Sequence, residues 1–247
     1  MKAMILAAGL GTRLRPLTNT IPKPLLPVAG RPLIIWNLLL LKRHGITDVI
    51  INLHHLGHLI EQELGSGTTL GMRLTYSHEP VILGTGGGIK QAEAFFDRQP
   101  VLIMNADTLL ELDLGELIRA HQARQPLATL VLRADPEAEA WGPVEVDARQ
   151  RVLRINKQGV AGTPAAATYM FAGVHMLDPC VLADVPIGKE SSIIDPYVRA
   201  LARGETICGF PMKDYWSDIG TPDRYAQAQR DADAKRIDLS ARMRLES

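Results

Sequence analysis

The sequence predicts an α/β fold: a mixed, mainly parallel sheet flanked by helices, with a small antiparallel lobe added to it. Three observations lead there. Strand-like and helix-like patterns alternate through residues 3–133, as crossover-linked parallel strands require. From residue 144 the pattern changes to successive strands separated by turns. The chain has 247 residues, 46% of them hydrophobic, enough for one large α/β domain or two small ones with a proper core.

Residues 3–8 are a short continuous apolar run that stops at Gly9, and read as a buried strand. Residues 31–44 carry an apolar stripe (Leu33, Ile34, Trp36, Leu38, Leu41) and stop before Gly45, the mark of a helix closed by glycine. Residues 48–53 read as a second buried strand, 56–64 as a short helix closed by Gly65, and 73–77 as a strand. A helix over 88–97, a strand over 100–105, a helix over 113–124 and a strand over 127–133 complete the alternating part. Strands over 144–146, 151–156 and 168–177 form the antiparallel lobe. They are followed by a helix over 191–203, strands over 206–210 and 215–218, and an amphipathic closing helix over 221–235. The last dozen residues are highly charged and are expected to fray. No internal repeat is visible, and none of the hexapeptide periodicity of a β-helix follows the main domain.

The formal net charge is +0, so no global basic field points to nucleic acid or to an anionic membrane. Two cysteines, Cys180 and Cys208, suit reduced structural thiols. The apolar start is too short for the core of a signal peptide, and no apolar run is long enough to span a bilayer. A cytoplasmic protein is expected. The oligomeric state is not legible, and a homodimer is compatible with the sequence.

The most informative segment runs from Leu6 to Thr18. A buried strand enters a turn punctuated by Gly9 and Gly11, followed by Thr12, Arg13 and Arg15. Small residues let the backbone approach a ligand, successive N–H groups can form an anion-binding nest, and guanidinium groups make forked bonds to phosphate. The spacing is that of neither a P-loop nor a dinucleotide fingerprint. In Ile21-Pro22-Lys23-Pro24-Leu25-Leu26-Pro27-Val28, three prolines stiffen the chain and forbid a helix, which gives Lys23 a fixed exit direction suited to a phosphate under attack.

These segments, with the following Ala29-Gly30-Arg31-Pro32-Leu33, resemble the N-terminal signature of the sugar-1-phosphate nucleotidyltransferases. The group includes a guanylyltransferase acting on mannose 1-phosphate, a thymidylyltransferase acting on glucose 1-phosphate and a uridylyltransferase acting on N-acetylmuramic acid 1-phosphate. The resemblance implies a Rossmann-like, GT-A-like nucleotidyltransferase fold as a single domain, with a nucleotide-binding half over about 1–135 and a sugar-binding lobe over about 136–225. It implies an NTP and a sugar 1-phosphate as substrates. By the match, Arg13 binds the triphosphate and neutralises the leaving pyrophosphate, and Lys23 touches the phosphates at the reacting centre. The backbone of Ala7, Ala8 and Gly9 lies against base and ribose, with Gly11 and Thr12 completing the nucleotide loop.

The chemistry needs a hard cation such as Mg²⁺, held by one or two carboxylates plus substrate phosphates. Asp107 closes the run Val101-Leu102-Ile103-Met104-Asn105-Ala106 that continues the strand over 100–105, and ligands of open parallel sheets sit beyond the carboxyl ends of strands. Asp218 sits alone between Trp216 and Ile219. Both resemble the family's metal aspartates, Asp218 within its Trp-x-Asp-hydrophobic-Gly-Thr stretch. Ala106 stands where members commonly have Gly.

A second glycine-rich loop, Glu79 to Gly88, resembles the base-reading loop, with Leu83, Gly84, Thr85 and Gly86 facing the nucleotide. The base itself stays open between guanine, uracil and thymine. Phe171-Ala172-Gly173-Val174 resembles the sugar-side stretch, where the Gly173 backbone meets sugar hydroxyls. Many members carry Glu-Lys-Pro shortly before it, and here the chain reads Asn156-Lys157-Gln158. Lys157 is kept for the sugar phosphate and Asn156 for the sugar, but the change from Glu carries no sugar preference over.

His54, His55 and His58 are read as structural or solvated, since no acid stands between them as in zinc hydrolases. The charged stretch 231–246 is read as a solvated face. Three other readings compete: a cytidylyltransferase for a phosphocholine-type substrate, a non-catalytic regulatory paralogue that binds nucleotide sugars, and a glycosyltransferase. The last lacks its Asp-x-Asp on a suitable strand end, and the regulatory reading predicts damage at Arg13, Lys23, Asp107 or Asp218, all of which are present.

Overall fold

The computed structural model describes residues 1–239. The expected fraying of the last dozen residues lies mostly outside them. In chain order the first elements are β1 (Lys2–Leu6), the small hairpin β2 (Pro27–Val28) and β3 (Arg31–Pro32), α1 (Leu33–Arg43), β4 (Asp48–Leu53), α2 (Gly57–Leu64) and β5 (Arg73–His78). Next come α3 (Gly84–Gln91), β6 (Val101–Asn105), β7 (Thr108–Leu110), α4 (Leu114–Arg124), β8 (Ala128–Arg133), α5 (Ala138–Trp141), β9 (Pro143–Val146), β10 (Val152–Ile155) and β11 (Gln158–Gly159). The chain closes with β12 (Ala167–Leu177), α6 (Ile194–Ala202), β13 (Ile207–Met212), β14 (Trp216–Asp218) and α7 (Pro222–Asp233). The strands form a mixed sheet with helices between them, as expected.

The described chain forms two compact units. The first comprises Met1–Ile82, Met104–Leu112 and the chain from Asp214 onward, and the second Leu83–Ile103 and Asp113–Lys213. In the first unit β1, β4 and β5 run parallel, Met4 opposite Ile50 and Ile50 opposite Thr75. Helix α1 is buried from Leu33 to Leu41 on every side rather than along one stripe. It ends as expected at Gly45, whose φ of 73° lets its N–H reach the Lys42 carbonyl at 2.9 Å.

In the second unit β9, β10 and β12 are antiparallel, as expected for the lobe, while β8 joins β12 antiparallel and β13 parallel. Two expectations fail here. The helix placed at 88–97 begins four residues earlier, so the glycine-rich run is the helix α3 itself and not a loop before it. The helix placed at 191–203 begins three residues later, at Ile194. Both shifts have one cause. Residues 191–193 hold the start of α3: Ser191 N–H donates to the Leu83 carbonyl (2.9 Å), Gly86 N–H to the Ser191 carbonyl (2.8 Å), and Ile193 N–H to Thr85 Oγ1 (2.9 Å). A β-carbon at Gly87 would lie 2.5 Å from the Lys189 carbonyl oxygen, so glycine is there to let the two backbones touch.

His175 on β12 and Tyr197 on α6 are 2% and 0% exposed and share a 2.7 Å hydrogen bond. Burial pushes the His175 imidazole down to about 3. The folded imidazole therefore binds a proton less readily than the unfolded one. Its contribution to stability is complete above about pH 6.5 and is lost as pH falls from there toward the folded value. The urea midpoint is expected to be lower at about pH 5 than at about pH 7.5. That drop should shrink in the His175→Leu/Tyr197→Phe double variant; an equal drop would assign the pH dependence to other groups.

Candidate active site

All residues of the first cluster belong to the first unit. β1 delivers Ala7 and Ala8, both buried, into the exposed turn at Gly9. Gly11 adopts a left-handed φ of 63°, and its carbonyl accepts from Thr18 Oγ1 at 2.8 Å. The Thr18 carbonyl in turn accepts from His55 Nε2 at 3.0 Å, and His54 Nδ1 donates to the Glu79 carbonyl at 2.7 Å. His54 and His55 are thus structural, as read from the sequence. Thr12 and Arg13 lie in a single 3-10 turn, both exposed.

Lys23 also begins a 3-10 turn, Lys23–Leu25, where a helix had seemed forbidden. Proline at the first positions of such a turn loses no hydrogen bond, because those N–H groups have no partner in the turn. The turn holds the lysine as expected, with the side chain 10% exposed.

The two aspartates are 111 positions apart in the chain and meet through an antiparallel pair. β7 and β14 align Thr108 with Asp218 and Leu110 with Trp216, and Ile219 N–H donates to the Asp107 carbonyl at 2.9 Å. Lys23 Nζ stands 2.5 Å from Asp107 Oδ2 and 3.8 Å from Asp218 Oδ1. One ammonium therefore faces both carboxylates, which shows that the pair can neutralise a cation between them. Among the described residues no group of three or more His, Cys, Asp or Glu side chains could hold a metal. The two carboxylates would take a hard divalent cation only with further oxygens from a bound phosphate, the usual coordination of such ions. Asp107 is 34% exposed and Asp218 10%, so the open side of the pair is at Asp107.

Sequence reasoning assigned no role to three residues around this cluster. Arg224, at the start of α7, places Nη1 3.0 Å from Asp218 Oδ2. Gly220 is the second: a β-carbon there would lie 2.3 Å from Asp218 Oδ2 and 3.0 Å from Arg13 Nη2. Its bareness leaves room beside it for both the Asp218 carboxylate and the Arg13 guanidinium. Gly220→Ala is expected to cost about 1–3 kcal/mol of stability and to lower turnover by displacing Asp218 or Arg13. An alanine variant with the melting temperature and rate of the parent would show that the crowding relaxes freely. Asn37, fully buried on α1, points Nδ2 at the carbonyls of Asn105 (3.5 Å) and Ala106 (3.4 Å), just before Asp107. Asp231 is buried too, bonded to Tyr215, Gln227 and Arg236, so the solvated-face reading of 231–246 fails there. The rest of that stretch beyond residue 239 lies outside the described residues.

The remaining expected site residues belong to the second unit. Leu83 is buried, 3% exposed, and precedes the helix that holds Gly84, Thr85 and Gly86. Asn156 and Lys157, with φ of 52° and 65°, are the two turn residues between β10 and β11. Such a turn demands left-handed backbone at both positions, which asparagine tolerates well. The Lys157 side chain is 71% exposed and pairs with Glu139 at 2.9 Å. Gly173, at φ 77°, sits where β12 bulges between Phe171 and His175 against β8.

Residues 2–235 match the family model described as nucleotidyl transferase. An N-acetylmuramate alpha-1-phosphate uridylyltransferase of Neisseria meningitidis serogroup B is 38% identical over 235 residues, covering 93% of this chain and 97% of the relative. A UTP–glucose-1-phosphate uridylyltransferase of Synechocystis is 32% identical over 244 residues, covering 93% of this chain; the chain spans only 63% of that relative. Among solved structures, a Bacillus anthracis protein provisionally assigned as a glucose-1-phosphate thymidylyltransferase, in complex with sucrose, superposes with a TM-score of 0.83 at 26% identity, over 97% of both chains. Cys180 is exposed, Cys208 is buried, and both are free thiols. No helix among the described residues is long and apolar enough to cross a membrane.

Proposed function

The chain belongs to the nucleotidyl transferase family, and we propose that it joins a nucleoside monophosphate from an NTP to a sugar 1-phosphate, releasing pyrophosphate. The observation that carries this reading is Lys23 between Asp107 and Asp218, with the Arg13 guanidinium near Asp218 across the bare Gly220. A phosphate oxygen of the sugar 1-phosphate attacks the α-phosphorus, and the bond from that phosphorus to the β-phosphate oxygen breaks. The electron pair leaves with pyrophosphate. No protein nucleophile is needed, so positioning and positive charge do the work. Lys23 would face the α-phosphate, and Arg13 the β- and γ-phosphates. Asp107 and Asp218 would hold a divalent cation, Mg²⁺ by the chemistry of two carboxylates with phosphate oxygens, which supplies charge neutralisation when bound.

The nucleotide would lie on Ala7, Ala8, Gly9, Gly11 and Thr12, and its base on Leu83 to Gly86. Asn156, Lys157 and Gly173 would serve the sugar side. The identity to the muramate enzyme favours UTP and N-acetylmuramic acid 1-phosphate as the first pair to test. A consumer of nucleoside triphosphates suits the cytoplasm. The non-catalytic alternative loses ground because all four charged residues are present in one arrangement.

The test is pyrophosphate release by the purified protein with Mg²⁺, crossing UTP, GTP, dTTP, ATP and CTP against N-acetylmuramic acid, glucose and mannose 1-phosphates. Turnover of one pair above all others is expected. No release from any pair, with nucleotide sugar still bound, would replace this reading by the regulatory one.

A further inference from the structure

Two buried polar side chains in the first unit take no part in the chemistry above. Asn52, on β4, is 2% exposed, and Glu79, just after β5, is 3% exposed. Parallel pairing of β1 with β4 ends at Leu6 opposite Asn52. The next backbone N–H, that of Ala7, donates instead to Asn52 Oδ1 at 2.8 Å. Asn52 Nδ2 donates to Glu79 Oε1 at 2.7 Å.

A side-chain amide has a donor end and an acceptor end, and only one orientation meets the Ala7 N–H. Turned over, it would set donor against donor in a buried place, at the full cost of two unsatisfied groups. A carboxylate oxygen accepts and so selects the orientation. Glu79 is itself pinned by its backbone: its N–H donates to the Leu53 carbonyl at 2.8 Å and its carbonyl accepts from His54 at 2.7 Å. The chain Glu79–Asn52–Ala7 thus fixes the backbone at the point where it leaves the sheet for the turn at Gly9.

We propose that Asn52 and Glu79 are positioning residues for the nucleotide. They set the Ala7–Gly9 backbone on which, resting on the proposed function, the base and ribose lie. Neither touches the reacting phosphates, and binding is affected equally before and during the transition state. Their loss therefore appears in nucleotide affinity and not in turnover.

The experiment compares wild type, Asn52→Leu, Glu79→Leu and Glu79→Gln, each checked by circular dichroism and assayed well below its melting temperature. Direct NTP binding is read by calorimetry without sugar phosphate, beside KM for each substrate and kcat. Asn52→Leu and Glu79→Leu are expected to weaken NTP binding and raise its KM by about 10- to 100-fold, with kcat and the sugar-phosphate KM near the parent's. Glu79→Gln, which can still present an acceptor to Asn52, should stay close to wild type. Hydrogen exchange at the Ala7 amide is expected to quicken in the leucine variants and not in Glu79→Gln, and it keeps the test open if one variant is too unstable to assay. Unchanged NTP binding in folded leucine variants, or a parallel rise in both KM values, would overturn the inference. Failure of the wild type to bind any NTP would overturn the functional reading, and the inference with it.

Discussion

Lys23→Ala is expected to lower kcat/KM by about 10³-fold, about 4 kcal/mol of transition-state stabilisation. The ammonium is 10% exposed and lies between two carboxylates, so it is held in one place before substrate arrives. A preorganised charge needs no rearrangement as negative charge gathers at the α-phosphorus. The same removal leaves Asp107 and Asp218 facing each other without their shared cation, so the variant should also melt at a lower temperature. A divalent cation can replace that charge between the carboxylates. Adding Mg²⁺ together with an NTP, whose phosphate oxygens complete the coordination, should therefore recover more of the melting temperature than NTP alone, and little of the rate. Pyrophosphate release and thermal melts in NTP with and without Mg²⁺ separate the two effects. A variant that regains its rate along with its stability would reduce Lys23 to a structural counter-ion. Lys23→Arg should not rescue, since the longer planar fork does not fit where a compact ammonium sits 2.5 Å from Asp107.

The second large effect concerns the aspartates, which the structure makes unequal. Asp107→Asn and Asp218→Asn should each lower turnover by about 10²-fold or more and raise the Mg²⁺ concentration needed for half activity. Asp107 is one-third exposed, and its loss should leave the melting temperature nearly unchanged. Asp218 is 10% exposed and meets both Lys23 and Arg224. Neutralising it leaves buried positive charge poorly balanced, and destabilisation of about 3 kcal/mol is expected. The double variant should fall well short of the product of the two single losses, because both residues serve one cation. Additive losses with an unchanged Mg²⁺ requirement would mean that the carboxylates do not share a metal.

Much of this was legible in the sequence because its signals are local. A strand running into Gly9 and Gly11, a lysine between prolines, and an acid at the end of an apolar strand each lie within a short window. The periodicities of α1, β4 and β12 are equally local. The asparagine at 156 looked like a departure from a pattern and proved to be the residue a tight two-residue turn accepts.

The sequence by itself determined the class of fold and singled out the turn at Gly9 and Gly11 and the four charged residues Arg13, Lys23, Asp107 and Asp218. Only the tertiary structure decided that Lys23, Asp107 and Asp218 meet, because the register of β7 against β14 joins segments 111 positions apart and no window of sequence contains it. It also decided that the glycine run is a helix pressed on residues 189–193, and that Gly220 stays bare for Arg13 and Asp218. It recruited Asn37, Asn52, Glu79 and Arg224 to hold the machinery in place. The physical reason is the same each time. A backbone preference is a property of neighbouring residues, whereas burial, close approach and the pairing of polar groups depend on which distant segments share the space.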